Sequence, residues 1–153
     1  ILNALAAIVL ADISGAEFTA VARAMASFAG AKRRFETKYL SAKHRIIDDY
    51  GHHPSEIAAT LQTARSLKPE RIVVLFQPHR FSRTQLLAED FGAALQAADQ
   101  VFVTDIYPAS ETPIEGISGQ TVVDAMGRHG DVPGEFLPDL ATAHHRVGNA
   151  LQP

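Results

Sequence analysis

The chain contains no cysteine. This excludes disulfides and zinc–thiolate centres, and it is compatible with a reducing cytosol, so a cytoplasmic location is expected. No apolar run approaches the roughly 20 residues needed to span a bilayer, and no membrane association is expected. Ile1–Ala11 is apolar but lacks a basic flank and an initiator Met, so it does not read as a signal peptide. A chain opening on Ile reads as an excised segment. The net charge of −3 carries no nucleic-acid footprint. Neither a Walker-type glycine-rich loop nor a GxGxxG is found, and no Ser/His/Asp nucleophile arrangement is evident. With 153 residues, 46% of them hydrophobic, the chain suffices for one domain, or one domain plus a piece of another.

Hydrophobic periodicity changes along the chain. Ile1–Asp12 has helix composition, Gly15 breaks it, and Glu17–Ala29 resumes helical spacing up to Gly30. After a basic linker, Phe35–Leu40 alternates as a half-buried strand does, and Arg45–Tyr50 returns as a second strand. From there helices and strands alternate. Pro54 opens a helix, and Arg71–Phe76 is a continuous apolar strand. Ser82-x-x-Gln85 reads as a capping box, and Gln100–Thr104 is the next strand. A long loop over Asp105–Gly116 precedes a helix at Ser118–Arg128, a short strand at Gly134–Leu137 and a last helix at Pro138–Leu151. This order predicts an α/β fold. Its core is a Rossmann-like, doubly wound, mostly parallel sheet with flanking helices, preceded by a β-hairpin and a helical remnant of another domain.

In such sheets ligands bind beyond the carboxyl ends of the strands. The polar clusters obey that rule: Asp48–His53, Gln77–Arg83 and Asp105–Glu111 each follow a strand and are expected along one edge. Asp48, Asp49, His52 and His53 have metal-ligand chemistry, but adjacent residues at a strand end point opposite ways, so no metal site is assigned. Two readings of that loop stay open. Its aspartates could fasten backbone N–H groups, or the loop could contact a ligand, a carboxylate taking ribose hydroxyls and a tyrosine packing on a base. Arg80 and Arg83, with His79 nearby, precede a helix start and suit a carboxylate or phosphate, although solvated arginines are the plain alternative. Arg33-Arg34 is either a solvated pair or a phosphate contact, and His144-His145 reads as structural.

Five segments, in order, resemble the Mur ligase family of peptidoglycan-building enzymes. The two that carry most of the resemblance are Asp48-Asp49-Tyr50-Gly51-His52-His53-Pro54-Ser55-Glu56 and Phe76-Gln77-Pro78-His79-Arg80-Phe81-Ser82-Arg83-Thr84. Leu2-Asn3-Ala4-Leu5-Ala6-Ala7, Phe28-Ala29-Gly30 with Arg33-Arg34-Phe35-Glu36, and Tyr107-Pro108-Ala109 with Glu111, Pro113-Ile114 and Gly116 support them. The resemblance implies two parts. Residues 1–33 would be the last helices of a central ATP-binding domain plus linker, and residues 34–153 a C-terminal Rossmann-like domain lacking its last strand.

It also implies an activity: ATP-dependent amide formation joining L-alanine to UDP-N-acetylmuramate through an acyl phosphate, with Mg²⁺ neutralising the phosphates. By the same resemblance Asn3, Arg34, Asp49 and Tyr50 would face ATP, and His52, Arg80 and Arg83 the amino-acid substrate. The phosphate loop, the Mg²⁺ ligands and the UDP-binding domain of the family have no counterpart here, so the fragment alone is expected to be inactive. Two other readings remain: a sibling ligase that recycles murein tripeptide, and a non-catalytic nucleotide- or anion-binding α/β module. A metal-dependent hydrolase built on the acidic-histidine loop stands behind both.

Overall fold

A computed structural model describes residues 2–28 and 30–151. Ile1 and Ala29, placed by the periodicity at the ends of the first two helices, lie outside the described residues, as do Gln152 and Pro153. Two helices come first, α1 (Leu2–Ile13) and α2 (Phe18–Ser27). Gly15, at φ +78°, breaks between them, and the Glu17 side chain caps α2 by accepting the Ala20 N–H. The two helices pack on each other yet leave Leu5, Val9, Leu10, Ile13 and Phe18 exposed.

A hairpin follows, β1 (Glu36–Leu40) antiparallel to β2 (Arg45–Asp48). The Ser41 hydroxyl accepts the N–H groups of Lys43 and His44 to make the turn. Then come α3 (Pro54–Ser66), β3 (Val73–Phe76), α4 (Phe81–Leu95), β4 (Gln100–Val103), α5 (Gly119–His129), β5 (Gly134–Phe136) and α6 (Leu140–Ala150). β3, β4 and β5 form a parallel sheet in chain order.

Alternation along the strands sorts the core into two layers. Ile72, Phe76, Val101 and Val103 face Ile57 and Leu61 of α3, Phe91 and Leu95 of α4, and Val122 and Met126 of α5. Phe102 and Val73 face the other way and meet Leu137 with Ala143 and Val147 of α6. Helices thus pack on both faces of the sheet, which is why Val73–Phe76 and Val101–Val103 read as unbroken apolar runs. α4 lies tight along α5 because Gly92 has no Cβ, which would sit 2.7 Å from the Ala125 backbone. Gly119 has no room either: a Cβ there would meet the Thr104 carbonyl oxygen and stand 2.7 Å from the Phe136 ring. Gly119→Ala is accordingly expected to cost about 1–3 kcal/mol by overpacking, read as a fall in the urea midpoint at constant m-value.

The expected hairpin is present: β2 pairs with β1, and an open cavity of about 1550 Å³ separates it from β3. The structure departs from the sequence expectation in two places. Ser82 does not make a capping box. α4 starts two residues earlier than an N-cap at Ser82 would set it, Arg80 is its N-cap position with no side-chain cap, and the Ser82 N–H and hydroxyl both donate to Glu111. Finally, α6 begins at Leu140 rather than Pro138, because Asp139 caps it by accepting the N–H groups of Ala141 and Thr142.

Candidate functional site

Three loops leave the carboxyl ends of β2, β3 and β4, and they meet. Asp48 and Asp49 diverge as neighbours at a strand end must. Asp48 turns to Arg33 at 3.7 Å and Lys38 at 3.9 Å. Asp49 turns inward, one carboxylate oxygen accepting the Phe35 N–H at 2.8 Å and the other the Gly51 N–H at 2.7 Å. The loop-fastening reading of that aspartate is thus the geometry observed. It leaves the second lone pair of each oxygen for any ligand contact.

Glu56 completes the loop. One of its oxygens accepts the N–H of His52 at 3.0 Å and of His53 at 3.2 Å, and the other lies 3.6 Å from Arg34. This reciprocal box with His53 starts α3. The His52 N–H bond above all, with help from His53, His52 and Arg34, holds the Glu56 carboxyl below its ordinary value of 4.5. A depressed folded pKa stabilises the fold above the unfolded value, and that stabilisation is lost as pH falls through the folded one. Glu56→Gln should therefore show a shallower loss of thermal stability below pH 4.5 than the parent chain, measured as melting temperature against pH.

An aromatic row crosses the three loops. The Tyr50 ring meets His52 edge-on at 5.0 Å, His52 lies 5.9 Å from His79, and His79 stacks on Tyr107 at 5.2 Å. Arg33 lies 4.8 Å above the Tyr50 ring. His52 Nδ1 is 3.0 Å from the Tyr50 carbonyl oxygen, which requires the proton on Nδ1 and leaves Nε2 an acceptor in the neutral ring. His79 Nδ1 is buried without a hydrogen-bond partner among the described residues. Burial first, then the charges of Arg83, His52 and Arg80, hold the His79 pKa below 6.5, so its ring is neutral at pH 7. The backbone at His79 and Tyr107 continues the β3–β4 pairing: the Arg80 N–H donates to Tyr107 O at 2.8 Å and the Tyr107 N–H to Pro78 O at 2.9 Å.

Arg80 has φ +77°, a left-handed backbone rare for a side chain of this size, which turns the chain sharply into α4. Its guanidinium is half exposed and 3.8 Å from Glu111. Glu111 reaches back from the β4 loop to cap the start of α4, and its bonds to Ser82 keep its carboxyl below the usual range. Arg83, one turn into α4, donates to the His79 carbonyl at 3.4 Å.

Of the residues singled out from the sequence, Tyr50, His52, Arg80 and Arg83 thus belong to one neighbourhood, with Asp49 beneath it and Arg34 on its flank. Asn3 stands exposed in the first turn of α1, and no described hydrogen bond or ion pair ties it to the cluster. His144 and His145 are exposed on α6. Sequence reasoning set His79 beside the arginines and Tyr107 and Glu111 in a loop along the same edge, but gave none of the three a role in the site. Glu111 lies 29 positions beyond Ser82, and no local pattern announces a bond across that separation. Tyr50 is 41% exposed and the Arg34 side chain 57% exposed, so both can be reached from solvent. Mg²⁺ is a poor fit here, since the Asp49, Glu56 and Glu111 carboxylates already hold backbone N–H groups.

Comparison with known proteins agrees with the motifs. The family description "Mur ligase, glutamate ligase domain" matches residues 33–153. The UDP-N-acetylmuramate–L-alanine ligase of Acidithiobacillus ferrooxidans is 49% identical over 148 residues, 96% of this chain and 32% of that protein. The enzyme of the same name from Solidesulfovibrio magneticus is 46% identical over 154 residues, 100% of this chain and 34% of its own length. The chain therefore spans about a third of the curated relatives it matches. Among solved structures, the UDP-N-acetylmuramate-alanine ligase of Thermotoga maritima superposes with a TM-score of 0.74 at 37% identity, over 91% of this chain and 29% of that one. A murein peptide ligase of Psychrobacter arcticus shares the fold, with a TM-score of 0.67 at 21% identity over 95% of this chain and 30% of its own. By the match over residues 33–153 and by these relatives, the chain belongs to the Mur ligase family.

Proposed function

We propose that this chain is one wall of the active site of an ATP-dependent ligase that joins L-alanine to UDP-N-acetylmuramate in peptidoglycan synthesis. The observation that carries the reading is the convergence of Tyr50, His52, His79 and Tyr107 beside the Arg80 and Arg83 guanidiniums. The names of the relatives at 46–49% identity supply the reaction class. Residues 1–33 are the tail of a central ATP-binding domain, and residues 34–153 are the ligase domain proper. The exposed apolar side chains of α1 and α2 support that division, since they are what helices cut from a larger body would display.

In this reading ATP phosphorylates the muramate carboxylate, and the alanine amine then displaces phosphate from the acyl phosphate. Positioning and charge carry such chemistry. Arg80 and Arg83 hold the alanine carboxylate by charge-assisted hydrogen bonds. His52, with Nε2 as an acceptor, is placed to take a hydrogen bond from the alanine ammonium or amine. The neutral ring of His79 adds no positive charge beside that nitrogen. Tyr50 and Arg34, braced by Asp49 and Glu56, line the nucleotide side, and Asn3 approaches the adenine from the other domain. Mg²⁺, when bound, would supply charge neutralisation at the phosphates, from ligands outside residues 1–153. The reaction places the enzyme in the cytoplasm, where ATP is, and no helix among the described residues is long and apolar enough to cross a membrane.

The test is phosphate release with ATP, Mg²⁺ and UDP-N-acetylmuramate, using both this chain and the full-length gene product that contains it. Release by the full-length protein that depends on L-alanine, with none from residues 1–153 alone, is the expected result. Preference for a murein tripeptide would reassign the parent to peptide recycling. Tight nucleotide binding with no turnover of either amine would leave a binding module.

A further inference from the structure

The loop after β4 is strained, and so is the residue it faces. Ala109 and Ser110 have left-handed backbones, φ +48° and +71°, although neither is glycine. Pro108 O accepts the Glu111 N–H at 3.0 Å and closes a turn on these two residues, with the positive φ at both central positions that marks a type I′ turn. Across from it Arg80 has φ +77°. Three of the six non-glycine residues with positive φ, among the described ones, thus lie on two facing loops of the site. Backbone strain of this kind persists where the surroundings impose it, and it gathers where a side chain must be aimed.

Arg80 is held on both sides of its Cα. Its N–H donates to Tyr107 O at 2.8 Å, and its carbonyl oxygen accepts the Thr84 N–H at 3.1 Å and the Thr84 hydroxyl at 2.9 Å. The backbone direction is therefore fixed where the side chain leaves it. Glu111 acts on the side chain itself. Its two oxygens accept the Ser82 hydroxyl at 2.6 Å and the Ser82 N–H at 3.0 Å, which sets the plane of the carboxylate. One of those oxygens stands 3.8 Å from a terminal nitrogen of Arg80, and no other described hydrogen bond or ion pair engages that guanidinium. As an ion pair the contact is worth little to the fold. As a restraint it matters, because an unheld arginine must give up rotamer freedom when it binds. Glu111 also fills the first turn of α4 from inside the chain. The N–H groups that would draw an incoming anion there are already taken, so a substrate carboxylate is left to the guanidinium.

We infer, resting on the assignment of Arg80 to the alanine carboxylate, that Glu111 is a positioning residue: fastened to Ser82 by the strained turn over residues 108–111, it aims the Arg80 guanidinium at the substrate. It does not touch the substrate itself. The strain has a use in this arrangement. Two left-handed residues in succession reverse the chain tightly, and that reversal returns Glu111 to Ser82, 29 positions earlier. The guanidinium is then preorganised at one end by Glu111 and keeps its remaining N–H donors for a carboxylate.

Glu111→Gln tests it, since it keeps the size of the side chain and an oxygen for Ser82 but removes the charge. In residues 1–153, ¹⁵N relaxation at the Arg80 Nε–H should show a restrained guanidinium in the parent chain and a freely averaging one in Glu111→Gln. In the full-length ligase the same substitution should raise KM for L-alanine roughly 3- to 10-fold, the cost of ordering one side chain on binding, with kcat and the KM for ATP little changed. In an Arg80→Ala background it should move that KM by less than about twofold, because no guanidinium is left to aim. A rise of equal size in both backgrounds would mean that Glu111 only supports the start of α4, and would overturn the inference. So would equal Arg80 mobility in the parent chain and in Glu111→Gln. A fall in the alanine KM would also overturn it, by making Glu111 a competitor for the guanidinium. An alanine KM unchanged by Arg80→Ala alone is a different failure: it would withdraw Arg80 from the substrate site, and the aiming role with it, even where relaxation shows the guanidinium held.

Discussion

Phe91→Ala is expected to destabilise the domain by about 3–5 kcal/mol, the range for emptying a buried aromatic site. Phe91 is fully buried at the centre of the layer formed by α3, α4, α5 and the sheet. Its ring packs at 5.3 Å on Phe76, the residue that delivers the Gln77–Arg83 loop. Ile57, Leu61, Leu95 and Val101 belong to the same buried cluster, each on or next to a helix or strand, so the hole is not expected to close by a side-chain rotation. Since domains carry only about 5–15 kcal/mol, most of the margin would go. Urea unfolding reads this as a large fall in midpoint with unchanged slope. Phe91→Leu, which keeps most of the volume, should recover over half of the loss. A loss under about 1 kcal/mol for Phe91→Ala would mean that this layer is not the core.

Arg80→Ala acts on the other side of the same junction and should leave stability nearly untouched. Its side chain is half exposed, and the Glu111 contact at 3.8 Å is a weak surface pair. Its effect should instead appear in the full-length ligase. Removing a charged hydrogen-bond donor from the alanine carboxylate forfeits about 1.5–3 kcal/mol, a rise of roughly 10- to 150-fold in KM for alanine with kcat little changed. Arg80→Lys should restore only part, because an ammonium keeps the charge but not the two-pronged geometry. An unchanged alanine KM in Arg80→Ala, with the protein folded, would remove this residue from the substrate site.

The apolar runs at Arg71–Phe76 and Gln100–Thr104 announce buried parallel strands, because a strand covered on both faces has no solvent side to keep polar. The loops after them were legible for the same reason: their polar residues follow directly on those runs. The capping of α4 was misread from local spacing. Ser82-x-x-Gln85 has the pattern, but Glu111 supplies the acceptor from another loop, and α4 begins two residues earlier than the pattern implies. The pairing of β2 with β1 was legible as a hairpin, but the gap that holds β2 away from β3 was not. Alternation shows that a segment is a strand, and says nothing about which edge it will join.

The amino-acid sequence by itself determined the elements, their order, the apolar stripes that form the two core layers, and the Asp48–Glu56 and Gln77–Thr84 motifs that identify the family. These depend on the period of neighbouring residues or on residue identity alone. Only the tertiary structure decided that Tyr50, His52, His79 and Tyr107 form one row, that Glu111 seals the start of α4, and that β2 and β3 stand apart with the end of α6 between their starts. Apart from the Tyr50–His52 neighbours, those relations join residues about 27 to 107 positions apart. They are set by crossover handedness and by how covered faces pack, which no local stretch of sequence encodes.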